Sequence, residues 1–225
     1  MLLGRPIRLD LASLQDKLVR RRRGGYCFEQ VTLFAAVLER LGFAPVRHTA
    51  RVIRVVPRTE APRSHMLLTV ALGSTTFVLD PGFGGGAPRL PLPLREHAPV
   101  ACEDETHWLV RDDGHWVLKV RTGDAETDCW ASTLERDNLV DFEMGNHFTS
   151  TYPASPFVNR LLLQAYVPGG RIRVMNRDVT ESRHGRALTR TLASRSELRA
   201  LVAETMDVDL PELETLRIPS VPEWH

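Results

Sequence analysis

No long apolar run, no surplus of charge and no cysteine framework mark this chain, and each absence removes a class of function. No stretch approaches the roughly 18 consecutive apolar residues that a membrane-spanning helix needs. The opening residues, Met1 to Asp10, contain no apolar h-region and do not read as a secretory signal. Lys and Arg number 29 against 28 Asp and Glu, a formal net charge of +1, so no global field draws the chain to nucleic acid or an anionic membrane. Three cysteines in 225 residues, with no Cys-x-x-Cys and no His-x-x-x-His, make neither a disulfide scaffold nor a zinc site. Repeats and low-complexity segments are absent, and 43% hydrophobic residues are too many for a disordered tail. The expectation is a cytoplasmic globular protein of one or two domains, without a metal, a nucleic-acid partner or a membrane anchor.

What is present changes period along the chain. Asp10 is placed to cap a helix whose Leu11, Leu14 and Leu18 recur at i, i+3 and i+7, running into the cations of Lys17 and Arg20–Arg23. Gly24-Gly25 breaks it, and a second helix begins near Cys27, with Phe28, Val31, Phe34, Ala35 and Leu38 on its buried face and a stop at Gly42. The period then becomes two. Residues 48–57, 65–72 and 75–80 read as strands, the last two joined at Gly73-Ser74. Residues 108–121 form a hairpin about Asp113-Gly114, and 125–133 add a strand. Pro88, Pro91, Pro93 and Pro99 mark an irregular link between these groups. After Pro153, residues 161–167 and 171–176 flank Gly169-Gly170, and a strand near 186–193 precedes a helix from about Arg195 with Ser194 and Glu197 as a capping box. Helices, then an antiparallel sheet or barrel, then a small α/β piece make an α+β fold.

Cys27 carries the strongest chemical signal. At a helix start the unpaired N–H groups and the macrodipole favour a thiolate, and two glycines upstream leave space beside the sulfur. A buried packing cysteine is the alternative reading. A nucleophilic thiol needs a base, and the base an orienting group. His65 opens one strand and Asp80 closes the next, so in an antiparallel hairpin turning at Gly73-Ser74 position 65 falls opposite roughly 80–82. Asp80 can then fix the imidazole tautomer and stabilise its charged form. Gly82, Gly84, Gly85 and Gly86 follow in Asp-Pro-Gly-Phe-Gly-Gly-Gly; with no Lys-Ser/Thr and no helix pattern behind them they are neither a P-loop nor a dinucleotide fingerprint. A tight turn accounts for them, as does close approach of a ligand to bare backbone with Phe83 as a wall.

These residues resemble those of the arylamine N-acetyltransferase family. Arg23-Gly24-Gly25-Tyr26-Cys27-Phe28-Glu29 is similar to the segment around that family's nucleophile, and Leu41-Gly42-Phe43 with Ala50-Arg51-Val52 to the stretch after it. His65 and Asp80-Pro81-Gly82-Phe83-Gly84 resemble its His and Asp motifs, at separations of 38 and 15 residues. Asn146 and Pro153-Ala154-Ser155-Pro156-Phe157 resemble a lid-proximal segment, and the likeness fades after about residue 175. It implies a helical domain over 1–45 carrying the nucleophile, a β-barrel over 46–140 carrying His and Asp, and an α/β lid over 141–225, with a papain-like Cys-His-Asp core. It also implies a ping-pong cycle: acetyl-CoA acetylates Cys27, CoA leaves, and an arylamine, hydrazine or arylhydroxylamine takes the acetyl group. Cys27 is then nucleophile, His65 base and Asp80 orienting acid, while backbone N–H groups near Cys27 form an oxyanion site. Phe28, Gly82, Phe83 and Gly84 are expected to line the substrate or CoA site.

Three departures accompany the resemblance. Val31 stands where the family commonly has Asn, Pro81 stands where Val or Ala is usual, and the family carries a further helical segment ahead of the stretch matching Met1–Ile7. The expectation is an incomplete helical domain, exposed apolar surface on the first two helices, and lower stability than a full-length homologue. Three other readings stand beside the acetyltransferase: an amide synthase of the same fold using a carrier-bound acyl chain, a cysteine hydrolase, and an inactive remnant. His97, His107, His115, His147 and His184 read as surface or hairpin residues. Lys17 to Arg23 read first as a solvated helix end with carboxylate partners, and second as a phosphate-binding patch for CoA.

Overall fold

In the computed structural model, which describes residues 1–183 and 186–224, local chemistry and chain reversal follow closely from residue type. His184 lies outside the described residues. Asp10 caps helix α1 (Leu11–Leu14), its carboxylate accepting the Ser13 N–H at 2.9 Å. The expected helix continues as a π-helical turn, Gln15–Arg20, which rotates the later side chains off the α period. Only Leu14 of the expected face is fully buried; Leu11 is half exposed. Helix α2 (Cys27–Arg40) starts where expected and buries Phe28, Val31, Ala35 and Leu38, whereas Phe34 is half-buried.

The chain divides into two compact units. The larger comprises Arg8–Gln15 and Gly25–Asn146. It holds α1, α2 and an eight-stranded antiparallel sheet of β1 (Val46–Val52), β2 (His65–Leu72), β3 (Thr75–Leu79), β4 (Leu92–Pro93), β5 (Val100–Cys102), β6 (Glu105–Asp112), β7 (His115–Thr122) and β8 (Ala125–Ser132). Their order is β4-β3-β2-β1-β8-β7-β6-β5. A bridge between Glu96 and Leu109, and the His97 N–H donating to the Leu109 carbonyl at 2.9 Å, bring the two edges together into a nearly closed barrel. Closure protects strand edges and creates an interior. Leu67, Val78, Leu109, Leu118 and Trp130 fill it. Each such side chain contributes about 1.5–3 kcal/mol by leaving water.

The strands differ from expectation at several places. The strand anticipated over 48–57 ends at Val52; the Ile53 N–H still reaches the Cys129 carbonyl, but then the chain turns out, leaving Val55 90% exposed. A run of β-branched residues alone does not extend a strand beyond its partner. Conversely, the proline-rich link contains β4 and β5. Pro93 lies on the edge strand, where a missing N–H costs the ladder nothing.

Helix α3 (Leu139–Thr151) was not legible from periodicity. Its buried positions are Phe142, Asn146 and Thr149, two of them polar, while Val140, Met144 and Phe148 face solvent. The smaller unit comprises Met1–Ile7, Asp16–Gly24 and the residues from His147 onward. It contains helix α4 (Pro156–Asn159), the antiparallel sheet β9 (Leu162–Val167), β10 (Gly170–Met175), β11 (Asp178–Arg183) and β12 (Arg186–Thr191), and helix α5 (Arg195–Met206). Ser194 caps α5 by accepting the Glu197 N–H at 3.1 Å, as expected. Strand β11 buries only Val179 completely, so its polar sequence hides it. Ile172, Val174, Leu198 and Trp224 form the core here. Fold class is α+β, as the order of elements indicates.

Candidate active site

Everything in the site belongs to the larger unit and begins with the α2 N-terminus. Tyr26 is extended, and the Glu29 carboxylate reaches back to accept its N–H at 3.3 Å, half of a capping box. This makes Cys27 the first helical residue, beside backbone N–H groups without intrahelical acceptors. Gln30 donates to the Gly25 carbonyl at 2.7 Å and fixes the entry of the chain. Cys27 is 5% exposed, and its Sγ lies 3.8 Å from the Ser64 carbonyl oxygen.

Ser64 is the residue before β2, so the strand delivers His65 directly beside the sulfur. The β2–β3 register pairs Leu68 with Leu79 and Leu72 with Thr75. Continued outward, it sets Leu67 opposite Asp80 and His65 opposite Gly82. His65 and Asp80 are thus diagonal neighbours on one sheet face, within reach of long side chains. Nε2 of His65 meets Oδ2 of Asp80 at 2.9 Å, with both residues 2% exposed. Burial opposes a charged imidazole, but the Asp80 charge and hydrogen bond, together with a hydrogen bond to Cys27, outweigh it and raise His65 to about 10. With Nε2 on Asp80, Nδ1 is the nitrogen left for the thiol.

The glycine segment splits into two roles. A Cβ on Gly82 would lie 2.6 Å from the Cys27 Cα and 3.2 Å from Val31 Cγ2, so this residue is bare because the α2 backbone approaches it. Gly84 adopts φ +78°, and a Cβ there would meet no described atom within 4 Å. Between them Phe83 stands edge-on to the His65 ring, centroids 5.1 Å apart. Phe28 has a different environment: its ring is fully buried, edge-on to Tyr26 at 5.5 Å, leaving only its main chain for a ligand. Val31 is fully buried and packs toward Gly82.

Three residues unmarked by the sequence reading support the site. Trp130 on β8 donates its indole N–H to Asp80 Oδ2 at 2.8 Å. Arg54 donates to the Gly85 carbonyl. His107, read as a surface or hairpin residue, lies in the β6–β7 hairpin and is 2% exposed, with its Nε2 3.1 Å from the Gly86 carbonyl oxygen. Its side chain follows the inward alternation of β6, which a scattered histidine does not reveal. The basic stretch has carboxylate partners: Arg21 with Asp16 at 2.8 Å, Arg22 with Asp207, and Arg23 with Glu212 at 2.9 Å. His97 and His147 are exposed, and His115 is half-buried. Among the described residues no group of His, Cys, Asp and Glu could hold a metal ion, and no helix is long and apolar enough to cross a membrane.

Comparison with known proteins identifies relatives over nearly the whole chain. Residues 1–215 match the N-acetyltransferase family profile. The arylamine N-acetyltransferase of Escherichia coli is 33% identical over 206 residues, covering 91% of this chain and 73% of that protein. The arylamine N-acetyltransferase structure from Nocardia farcinica superposes with a TM-score of 0.87 at 37% identity, covering 99% of this chain and 80% of that one. The Mycobacterium marinum arylamine N-acetyltransferase, solved in complex with CoA, superposes with a TM-score of 0.89 at 28% identity, covering 94% and 80%. A family profile that spans most of the chain, with relatives above 30% identity matched over more than two thirds of their length, places it: the chain belongs to the arylamine N-acetyltransferase family.

Proposed function

We propose that this chain transfers an acetyl group from acetyl-CoA to an arylamine, hydrazine or arylhydroxylamine through a thioester on Cys27. The observation that carries the reading is the buried series Asp80–His65–Cys27 at the start of α2. Asp80 holds Nε2 and stabilises the protonated ring, so His65 can keep Cys27 as a thiolate across its Nδ1. The thiolate attacks the acetyl carbonyl, and oxyanion charge develops beside the backbone N–H groups of the first helical turn. The CoA thiol leaves with the His65 proton. In the second half, the amine attacks the Cys27 thioester, His65 takes the amine proton, and the thiolate returns.

Phe83, against the His65 ring, and the open backbone at Gly84 provide a wall and a floor for the small acyl group and a flat amine. All three cysteines are free, the state a thiol nucleophile requires and a reducing cytoplasm maintains. The test is intact-protein mass spectrometry after brief exposure to acetyl-CoA, with Cys27→Ala alongside. One acetyl group on the wild type alone, lost on adding an arylamine, is expected. Loss without amine would indicate a hydrolase. An adduct formed only from larger acyl thioesters would indicate an amide synthase, and no adduct from any thioester an inactive site.

A further inference from the structure

Among the described residues, Oδ1 of Asp80 is a buried side-chain oxygen without a hydrogen-bond partner. The other oxygen, Oδ2, takes two donors: His65 Nε2 at 2.9 Å and Trp130 Nε1 at 2.8 Å. A carboxylate held through one oxygen and one donor is free to turn about its Cβ–Cγ bond. The second donor prevents that turn, because it comes from a ring that cannot move. Trp130 is fully buried in the barrel core, on a strand paired with both β1 and β7. Indole nitrogen is a donor only, and a buried N–H requires an acceptor. Here that acceptor is the side chain that holds His65.

We propose that Trp130 is a positioning residue, whose indole N–H orients the Asp80 carboxylate so that Oδ2 meets His65 Nε2 and the ring presents Nδ1 to Cys27. The inference deepens the thiolate–imidazolium reading and rests on it. The titratable and charged groups near Asp80 include His65 from β2, with Cys27 behind it on α2, and Cys129, which precedes Trp130 on β8; its buried thiol is pushed up to about 12 and also senses Arg54, Glu105 and Asp128. Without the indole N–H the buried charge loses one of its two donors, and the carboxylate can turn so that neither oxygen is aligned on the ring. Both changes weaken the hold on a protonated His65 most at low pH.

The test compares wild type, Trp130→Phe, and a chain with 3-benzothienylalanine at position 130, which keeps the double ring and replaces the N–H by sulfur. The rate of Cys27 alkylation by iodoacetamide is followed by mass spectrometry from about pH 5 to about pH 9, a readout that needs no acetyl-CoA. In both variants the acid limb should move up by about one pH unit, with a rate up to roughly tenfold lower on the acid side of the wild-type limb and nearly wild-type rates near pH 9. A benzothienylalanine profile that overlays the wild type overturns the proposal, even if Trp130→Phe melts early or does not fold. A wild type that is alkylated rapidly at pH 6 but never acetylated would remove the transferase reading and leave this one standing. A wild type without low-pH reactivity overturns the ion pair and this inference together.

Discussion

Replacing Gly82 with alanine puts a methyl group where the backbone of Cys27 already sits. The added Cβ would be 2.6 Å from the Cys27 Cα, 3.0 Å from its Cβ and 3.2 Å from Val31 Cγ2. Carbon atoms settle at about 3.5–4.0 Å, so the two segments must separate by roughly 1 Å. The obstacle is helix backbone rather than the tip of a flexible chain. Overpacking of this kind costs about 1–3 kcal/mol, which in a chain of this size lowers the melting midpoint by roughly 2–12 °C. The chemical consequence is larger. A shift of about 1 Å between Cys27 and the His65 ring should slow Cys27 acylation about a hundredfold. Single-turnover acylation by acetyl-CoA, followed by intact mass, measures it. Gly73→Ala is the control: it sits at the β2–β3 turn with φ +59° and no described atom within 4 Å of a Cβ. It should cost about 1 kcal/mol of stability and leave the acylation rate unchanged. A Gly82→Ala protein that acylates at the wild-type rate would refute the close-approach argument.

Three further outcomes are expected. In Gly145→Ala the new Cβ would lie 2.7 Å from Cζ of the fully buried Phe28 ring and 3.2 Å from the Arg63 carbonyl oxygen; a chemical melt should show about 1–3 kcal/mol lost, and an unchanged midpoint would contradict the contact. His48 is buried, its Nδ1 2.7 Å from the Glu135 carbonyl oxygen and its Nε2 2.7 Å from Thr69 Oγ1, and burial holds its pKa below 6.5 despite the bond to Glu135. The unfolded chain therefore binds the extra proton, and stability falls as pH drops through about 6.5 and below. Denaturation of His48→Gln should show a shallower loss between about pH 7 and pH 5, and equal slopes would count against the assignment. Cys129, pushed up to about 12 chiefly by burial, should remain unlabelled when native protein meets iodoacetamide near pH 8 while Cys27 reacts; peptide mapping distinguishes the two.

The sequence by itself determined what depends on near neighbours. Asp10 and Ser194 cap helices because their side chains reach an N–H three residues on, and Cys27 begins α2 because two glycines end what precedes it. The hairpin at Gly73-Ser74 carries His65 and Asp80 to one end, since turn and strand length fix register without further contacts. Those local rules made three of the site's residues legible. Tertiary structure alone decided what depends on chain segments far apart. Trp130 lies 50 residues from Asp80, and nothing adjacent to it in sequence marks its N–H as the partner of a carboxylate. His107 looks like any other scattered histidine until barrel closure turns it toward Gly86. Helix α3 buries Asn146 and Thr149 and exposes Met144, which inverts the pattern by which a helix is read. Gly82 is required bare only because a helix from elsewhere in the chain packs against it. Turns, caps and registers are short-range and are written in the residues themselves; burial, hydrogen-bond partnership and ionisation are set by which surfaces meet, and that is a property of the folded barrel.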